Sequence, residues 1–350
     1  MNCITIDNIN LAGEMMSSHK QTEIEIKKKT DELLTDMPEF IKIYVRAIHN
    51  AVAPRTVCEY VRDIKNFFEY VCETKNITEI TPDILGEMKK PDFEAYLEYL
   101  EHYEKDSIER TNSRASIKRK MAALRKLYKY LFDCDMIPSN EITKVLLPKL
   151  NRKEIVYLNE YEANALMKDA EYGTKMTKKE AEYHDKQSVR DTALIALLLS
   201  SGIRVSECAE LDIDDIDMKS SSVHIIRKGG DEATVYFSDE AAGYIQTYLE
   251  QRLAIEGLDD EKALFLSSRN KRMSVRTIEV MVKKYAKRTI ATKKITPHRL
   301  RASFASKLYM DTSDIYLVAK SLGHVDVQTT SDHYANLDSE KLKASRNKGY

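Results

Sequence analysis

Residues 189–202, "VRDTALIALLLSSG", form the most apolar helical stretch of the chain. The run predicts a buried helix, with Gly202 near its end. The chain continues through residues 200–216, "SSGIRVSECAELDIDDI", so Arg204 lies just beyond that glycine and Glu207 three positions further on. Three readings of Arg204 are open: a plain surface residue, a local salt-bridge partner of Glu207, or a guanidinium held rigidly by the packing behind it. In the last case its planar fork would suit two nonbridging phosphate oxygens.

Three further stretches of the same half carry groups of similar chemistry. In residues 296–309, "TPHRLRASFASKLY", Thr296 can cap a helix and Pro297 suits its first turn. Leu300, Phe304 and Leu308 make an apolar stripe, while His298 and Arg301, three apart, share another face near the positive end of the helix. That face is either a basic helix surface or a phosphate site. "VHIIRKGG" and "EATVYF" read as strands flanking a Gly-rich turn, a small antiparallel hairpin with Lys228 at its tip and Arg227 beside it. In residues 315–337, "IYLVAKSLGHVDVQTTSDHYANL", Gly323 can end the helix, His324 emerges just beyond it, and Tyr334 follows ten residues later in a polar stretch.

The rest of the chain bounds the problem. With 350 residues it is long enough for two domains, and 43% hydrophobic and 32% charged residues make a soluble globular composition. The N-terminus lacks the pattern of an export signal, no apolar run reaches membrane-spanning length, and five widely spaced cysteines suit a reducing cytoplasm. Residues 1–35 read as a flexible or partly helical leader. Residues 36–145 read as an all-helical bundle, with a broad stripe through "APRTVCEYVRDIKNFFEYVCE" and a cap and first turn at Thr81 and Pro82. Pro148 and a basic stretch place a linker at 146–155, and 156–350 form the second domain with its C-terminal tail. Within it, 171–187 read as a polar surface loop or excursion.

Net charge is -1, but its distribution is uneven. Residues 110–129 and 282–301 each carry eight Lys or Arg and no acid, and two such runs in different halves could line a channel for a polyanion. The candidate DNA contacts are Arg114, Lys118, Arg119, Lys120 and Arg125 in the first run, and Lys283, Lys284, Lys287, Arg288, Lys293 and Lys294 in the second, with Arg227 at the hairpin.

Two Arg, a Lys, two His and a candidate phenol in one domain, with no metal-binding cluster in the sequence, suit metal-free phosphoryl transfer. Arg204 and Arg301 would neutralise the phosphate, Tyr334 would attack phosphorus, and Lys228 would donate a proton to the departing sugar oxygen. A phenol of pKa about 10 needs cations to stabilise its anion.

The ordered set resembles the tyrosine recombinases, also called the phage-integrase family. "SGIRVSE" matches the first arginine motif with Arg204 and its acidic companion Glu207. Lys228 matches the hairpin lysine, "HRLR" gives His298 and Arg301, "SLGH" gives His324, and Tyr334 matches the nucleophile. The match covers about residues 190 to 336, and the helical segment resembles the family's core-type DNA-binding domain. The resemblance implies a mainly α fold with a small antiparallel β element: an N-terminal helical core-binding domain and a C-terminal catalytic domain. It implies cleavage of one strand of a duplex through a 3'-phosphotyrosine, resealing on another duplex through a Holliday junction, no cofactor or metal, and four protomers on paired sites in double-stranded DNA. It leaves room for an accessory directionality protein or a host DNA-bending protein, and for a cytoplasmic, nucleoid-associated location without a membrane partner. Mobile-element integration or excision and chromosome-dimer resolution both fit the chemistry. A non-cleaving DNA-binding protein of the same fold and a type IB topoisomerase-like activity are the competing functions.

The chain departs from the family in places. It reads "RKGG" where relatives often have Gly before the lysine, and the interval from His324 to Tyr334 is one residue longer than in many Xer-type members. The 171–187 stretch is longer than the family minimum, and the tail after Tyr334 is expected to dock on a neighbouring protomer.

Overall fold

The structure is a computed structural model that describes residues 18–105, 108–149, 155–174, 176–227, 230–258 and 260–323. The chain divides into two compact units, 1–152 and 153–350.

The first unit is built from α1 (Ser18–Leu34), α2 (Glu39–Ile48), α3 (Pro54–Lys75), α4 (Pro82–Glu87), α5 (Lys90–Glu101), β1 (His102–Lys105), β2 (Ile108–Thr111) and α6 (Arg114–Asp133). Pro54 opens α3 where its missing N–H is harmless, and Asn76 closes it in the left-handed conformation. Thr81 caps α4 through its hydroxyl, which accepts from the Ile84 N–H. Val57, Val61, Ile64, Phe67, Phe68 and Val71 of α3 are buried against Ile117, Met121, Leu124, Leu127 and Leu131 of α6 and the aromatics of α5. Phe67 meets Tyr96 edge-on at 4.9 Å, and Phe93 meets Tyr128 at 5.1 Å. Each such side chain contributes roughly 1.5–3 kcal/mol of burial. The sequence pattern suggests an all-helical bundle, and the structure corrects this: the unit also contains a hairpin. β1 and β2 pair antiparallel from His102↔Thr111 to Lys105↔Ile108. Part of the leader is helical too, since α1 packs on α3.

The second unit comprises α7 (Glu160–Tyr172), α8 (Lys178–Asp185), α9 (Ser188–Ser201), α10 (Val205–Glu210), β3 (Ile216–Asp217), β4 (Ser222–Ile226), β5 (Glu232–Tyr236), α11 (Asp239–Leu253), α12 (Val275–Thr289), α13 (Pro297–Thr312) and α14 (Ile315–Leu322). α9 is the apolar helix of residues 189–202, and it packs against α7, α11 and α13, so apolar residues on every side of it are buried. Its polar start is satisfied internally. Arg190 donates to Asp191 and to the Leu266 carbonyl, and the Tyr285 hydroxyl donates to the second Asp191 oxygen at 2.8 Å. β3, β4 and β5 form one antiparallel sheet, in register from Ser222↔Tyr236 to Ile226↔Glu232. Val223, Ile225 and Val235 face the core. α13 and α14 share a smaller core of Ala305, Tyr309, Val318 and Leu322.

The stretch 171–187 is not simply a loop. It contains α8, capped by Thr177 with Glu180 reaching back. Its His184 is buried, with Nε2 2.9 Å from the Ala170 carbonyl. Thr296 occupies the capping position of α13 in an extended conformation, but its side chain makes no capping bond.

Candidate functional site

The turn after α9 is the first fixed point of the site. Gly202 is left-handed at φ 64°, and a Cβ there would overlap the Phe304 ring of α13. The close approach brings α13 against the α9 terminus and sends the chain through buried Ile203 to Arg204, the capping position of α10. Glu207, buried in the first turn of α10, accepts from the Arg204 backbone N–H at 2.6 Å and from its guanidinium Nη1 at 2.7 Å. One carboxylate therefore fixes both ends of Arg204, whose side chain stays 34% exposed.

Arg301 sits one turn into α13 and is buried. Its Nη1 donates to the Gly202 carbonyl at 2.6 Å and its Nη2 to the Leu322 carbonyl at 2.5 Å. A single guanidinium thus ties the turn before Arg204 to the last residue of α14. α14 ends where the sequence predicts, at left-handed Gly323. Arg227, just beyond β4, donates to the neighbouring Ser321 carbonyl at 3.1 Å. Two arginines from separate elements thereby satisfy C-terminal carbonyls of one helix, where cations are favoured. His298 lies exposed in the first turn of α13, one turn before Arg301.

Arg204, Arg301 and Glu207 are therefore gathered around the α9–α10 turn, with the end of α14 alongside. The basic-surface reading fails for Arg301, which is buried, while His298 on the preceding turn stays exposed. Tyr309 is buried and Tyr316 is exposed on α14. Lys228, His324 and Tyr334 lie outside the described residues, as does the tail beyond Tyr334.

Several candidate DNA contacts are engaged in ion pairs or hydrogen bonds within their own unit. Asp63 of α3 is buried, and a buried carboxylate needs compensating charge. Arg119 and Lys120 of α6 supply it, the latter itself buried with Nζ 3.3 Å from Asp63. Arg125 donates to the Val145 carbonyl. In the second unit Arg288 pairs with buried Asp169 at 2.7 Å, and Lys293 bridges Glu162 and the Tyr157 carbonyl. Lys284 lies 4.8 Å from the Tyr183 ring centroid. Arg227 is turned inward: a Cβ on Gly323 would overlap its guanidinium. Arg114, Lys283, Lys287 and Lys294 are exposed, and Lys118 is half-buried. The partners of the internal cations lie tens of residues away in sequence, so composition alone could not separate the two groups.

The chain matches the family model described as Phage integrase family over residues 156–341, and that of Phage integrase, N-terminal SAM-like domain, over residues 44–133. It is 31% identical over 313 residues to Tyrosine recombinase XerC of Caldanaerobacter subterraneus subsp. tengcongensis, covering 85% of this chain and 82% of that protein. It is 30% identical over 351 residues to Tyrosine recombinase XerS of Streptococcus sanguinis, covering 92% and 98%. Among solved structures, XerH site-specific recombinase bound to palindromic difH substrate, in a post-cleavage complex, aligns with TM-score 0.66 at 18% identity, covering 93% of this chain and 88% of that one. A lambda integrase dimer bound to a COC' core site aligns with TM-score 0.60 at 16% identity, covering 84% and 94%.

Proposed function

The chain belongs to the phage integrase family, the tyrosine recombinases, and from that premise we propose that it cuts and rejoins specific sites in double-stranded DNA without a cofactor. The observation that carries the reading is the convergence of Arg204 and Arg301 on the α9–α10 turn, with Arg301 also tied to Leu322, the last residue of α14. Cations fixed by packing before substrate arrives stabilise a phosphoryl transition state without reorganisation.

In this mechanism the scissile phosphate binds between Arg204 and Arg301. The Tyr334 oxygen attacks phosphorus, and His298 takes the phenol proton. The bond to the 5'-oxygen breaks, Lys228 supplies that oxygen with a proton, and His324 hydrogen-bonds the phosphate. The products are a 3'-phosphotyrosine and a free 5'-hydroxyl. A 5'-hydroxyl from a second duplex then attacks the link and regenerates Tyr334. The covalent ester conserves the phosphodiester, so no nucleotide is consumed. Two such exchanges among four protomers make and resolve a Holliday junction. The duplex is held by exposed lysines that include Lys283, Lys287 and Lys294.

A nicked suicide duplex, carrying a site selected by binding from a random pool, tests the reading. Mass spectrometry of the trapped peptide should find DNA on Tyr334, and Tyr334→Phe should bind the site and form no adduct. DNA on another residue would overturn the assignment. Junctions from paired sites support recombination, whereas supercoil relaxation without them would indicate a topoisomerase. Sequencing the trapped genomic site separates the roles: flanking inverted repeats beside the coding gene favour a mobile element.

A further inference from the structure

Three guanidinium groups gather where the ends of α9 and α14 are tied to α13. Arg301 of α13 donates to the Gly202 carbonyl, two residues before Arg204, and to the Leu322 carbonyl at the end of α14. Arg227, just beyond β4, donates from Nη2 to the Ser321 carbonyl at 3.1 Å, so the two arginines occupy consecutive carbonyls of one helix end. The Arg227 guanidinium lies against Gly323, where any side chain would displace it. Arg204, held by Glu207, completes the group. Relatives often have glycine at the position of Arg227, so this cation is a feature of the present chain.

Stability alone gives no reason for it. The Arg227 Nε and Nη1 are buried without a hydrogen-bond partner among the described residues. A buried and incompletely paired charge is costly, and an apolar side chain of similar volume is often as stabilising. Burial holds the Arg227 pKa below the usual arginine value and Arg204 adds to this, against the opposing pull of Glu207 and Asp231. These are the surroundings of a cation short of negative charge. A phosphodiester beside Arg204 would supply it, and positive potential assembled before the anion arrives needs no reorganisation when it binds.

We infer that Arg227 is a third cation of the phosphate site: seated beside Arg301 on the end of α14, it adds positive potential to the Arg204–Arg301 pair and strengthens the hold on the scissile phosphate as negative charge builds there. The inference rests on the proposed binding of that phosphate between Arg204 and Arg301. Arg227 touches no phosphate oxygen in this role. It acts through space, where a partly buried charge is screened little by salt.

Single-turnover cleavage by the full chain tests it on two suicide duplexes, one with an ordinary scissile phosphate and one with a methylphosphonate in its place, whose transition state carries one negative charge fewer. Arg227→Met should slow the ordinary substrate about ten-fold, less than the loss of a donor in contact with the phosphate. It should slow the methylphosphonate about three-fold or less, because the through-space attraction scales with the charge at phosphorus. Arg227→Lys keeps the charge and should recover most of the loss on the ordinary substrate. Arg227→Gln, which keeps an N–H for Ser321, replaces Arg227→Met if the latter has no cooperative melting transition. An equal loss on both substrates, no loss on the ordinary one, or no recovery with Arg227→Lys overturns the inference. Arg204→Ala on the same pair separates this failure from that of the site itself. If Arg204→Ala also fails to distinguish the substrates, the phosphate does not bind at Arg204 and the role of Arg227 falls with it. If Arg204→Ala distinguishes them and Arg227→Met does not, only the third cation is lost.

Discussion

Each unit has a cluster of cations around a buried carboxylate, and the two are built differently. In the first unit Asp63 sits between Arg119 and Lys120, with both partners directed at it. In the second, Glu207 grips Arg204 from one side while a third of that side chain stays exposed, and Arg301 donates to carbonyl oxygens that carry no net charge. The first cluster is closed at Lys120, which is buried, while Arg119 stays 44% exposed at its edge, and together they neutralise a charge inside the bundle. The second gathers Arg204, Arg301 and Arg227 near a single carboxylate, and its positive character is suited to an anion. The two clusters therefore differ in balance: two carboxylates, Asp63 and Glu59, answer the cations of the first, whereas in the second Glu207 pairs with Arg204 while Arg301 and Arg227 donate to neutral carbonyls.

The sharpest way to break the comparison is to remove one cation from the open cluster. Arg204→Ala should reduce covalent adduct formation by about a hundred- to a thousand-fold, as loss of a preorganised charge does. It should lower stability by less than Arg301→Ala does, because the buried Glu207 carboxylate loses the guanidinium but keeps the Arg204 backbone N–H. Arg301→Ala should suppress the adduct as strongly and also destabilise the fold by about 2–4 kcal/mol, since it removes hydrogen bonds from carbonyls in a buried setting. Suicide-substrate trapping alongside thermal melting distinguishes the two. If both variants melt like the unaltered chain, Arg301 is not the tie between α9 and α14. In the closed cluster, Asp63→Asn leaves Lys120 buried opposite a neutral amide and should destabilise the chain by about 3 kcal/mol. Denaturant unfolding of the full chain measures this, and an unchanged midpoint would mean that the cluster relaxes into solvent.

The sequence foreshadowed features in which neighbouring residues enforce the geometry. Gly202 and Gly323 mark true helix ends because each needs a left-handed turn and close packing. The stripes of α3 and α6 follow from their spacing. The β1–β2 hairpin was illegible because "HYEK" and "IERT" carry too many polar residues to read as strands. α8 was missed because it buries one histidine in an otherwise polar run. In the candidate site, the motif order identified Arg204 and Arg301, but not that Arg301 faces inward or that Arg227 reaches α14. Those contacts span 99 and 94 residues, beyond any local pattern. The two basic runs misled for the same reason: a count of lysines cannot reveal a buried aspartate on another helix.

The smallest effect tests that last distinction. Lys283 and Lys287 lie four apart on α12, so they share a face, and both are exposed. If that face meets the phosphate backbone, Lys283→Gln with Lys287→Gln should reduce the slope of log K against log salt by about two, close to one per released counterion. The melting temperature should hardly move, since exposed substitutions rarely shift stability by more than about 0.5 kcal/mol. Lys120→Gln should do the reverse: it leaves Asp63 with one cation fewer in a buried setting, which lowers stability, and removes no phosphate contact, which keeps the slope. Lys118, half-buried between these extremes, should change the slope by about one when neutralised if its ammonium reaches the backbone. Salt titration of duplex binding and thermal melting on the same samples read both quantities. Should Lys120→Gln lower the slope at an unchanged melting temperature, the Asp63 cluster opens on DNA, and burial of a cation no longer marks it as structural.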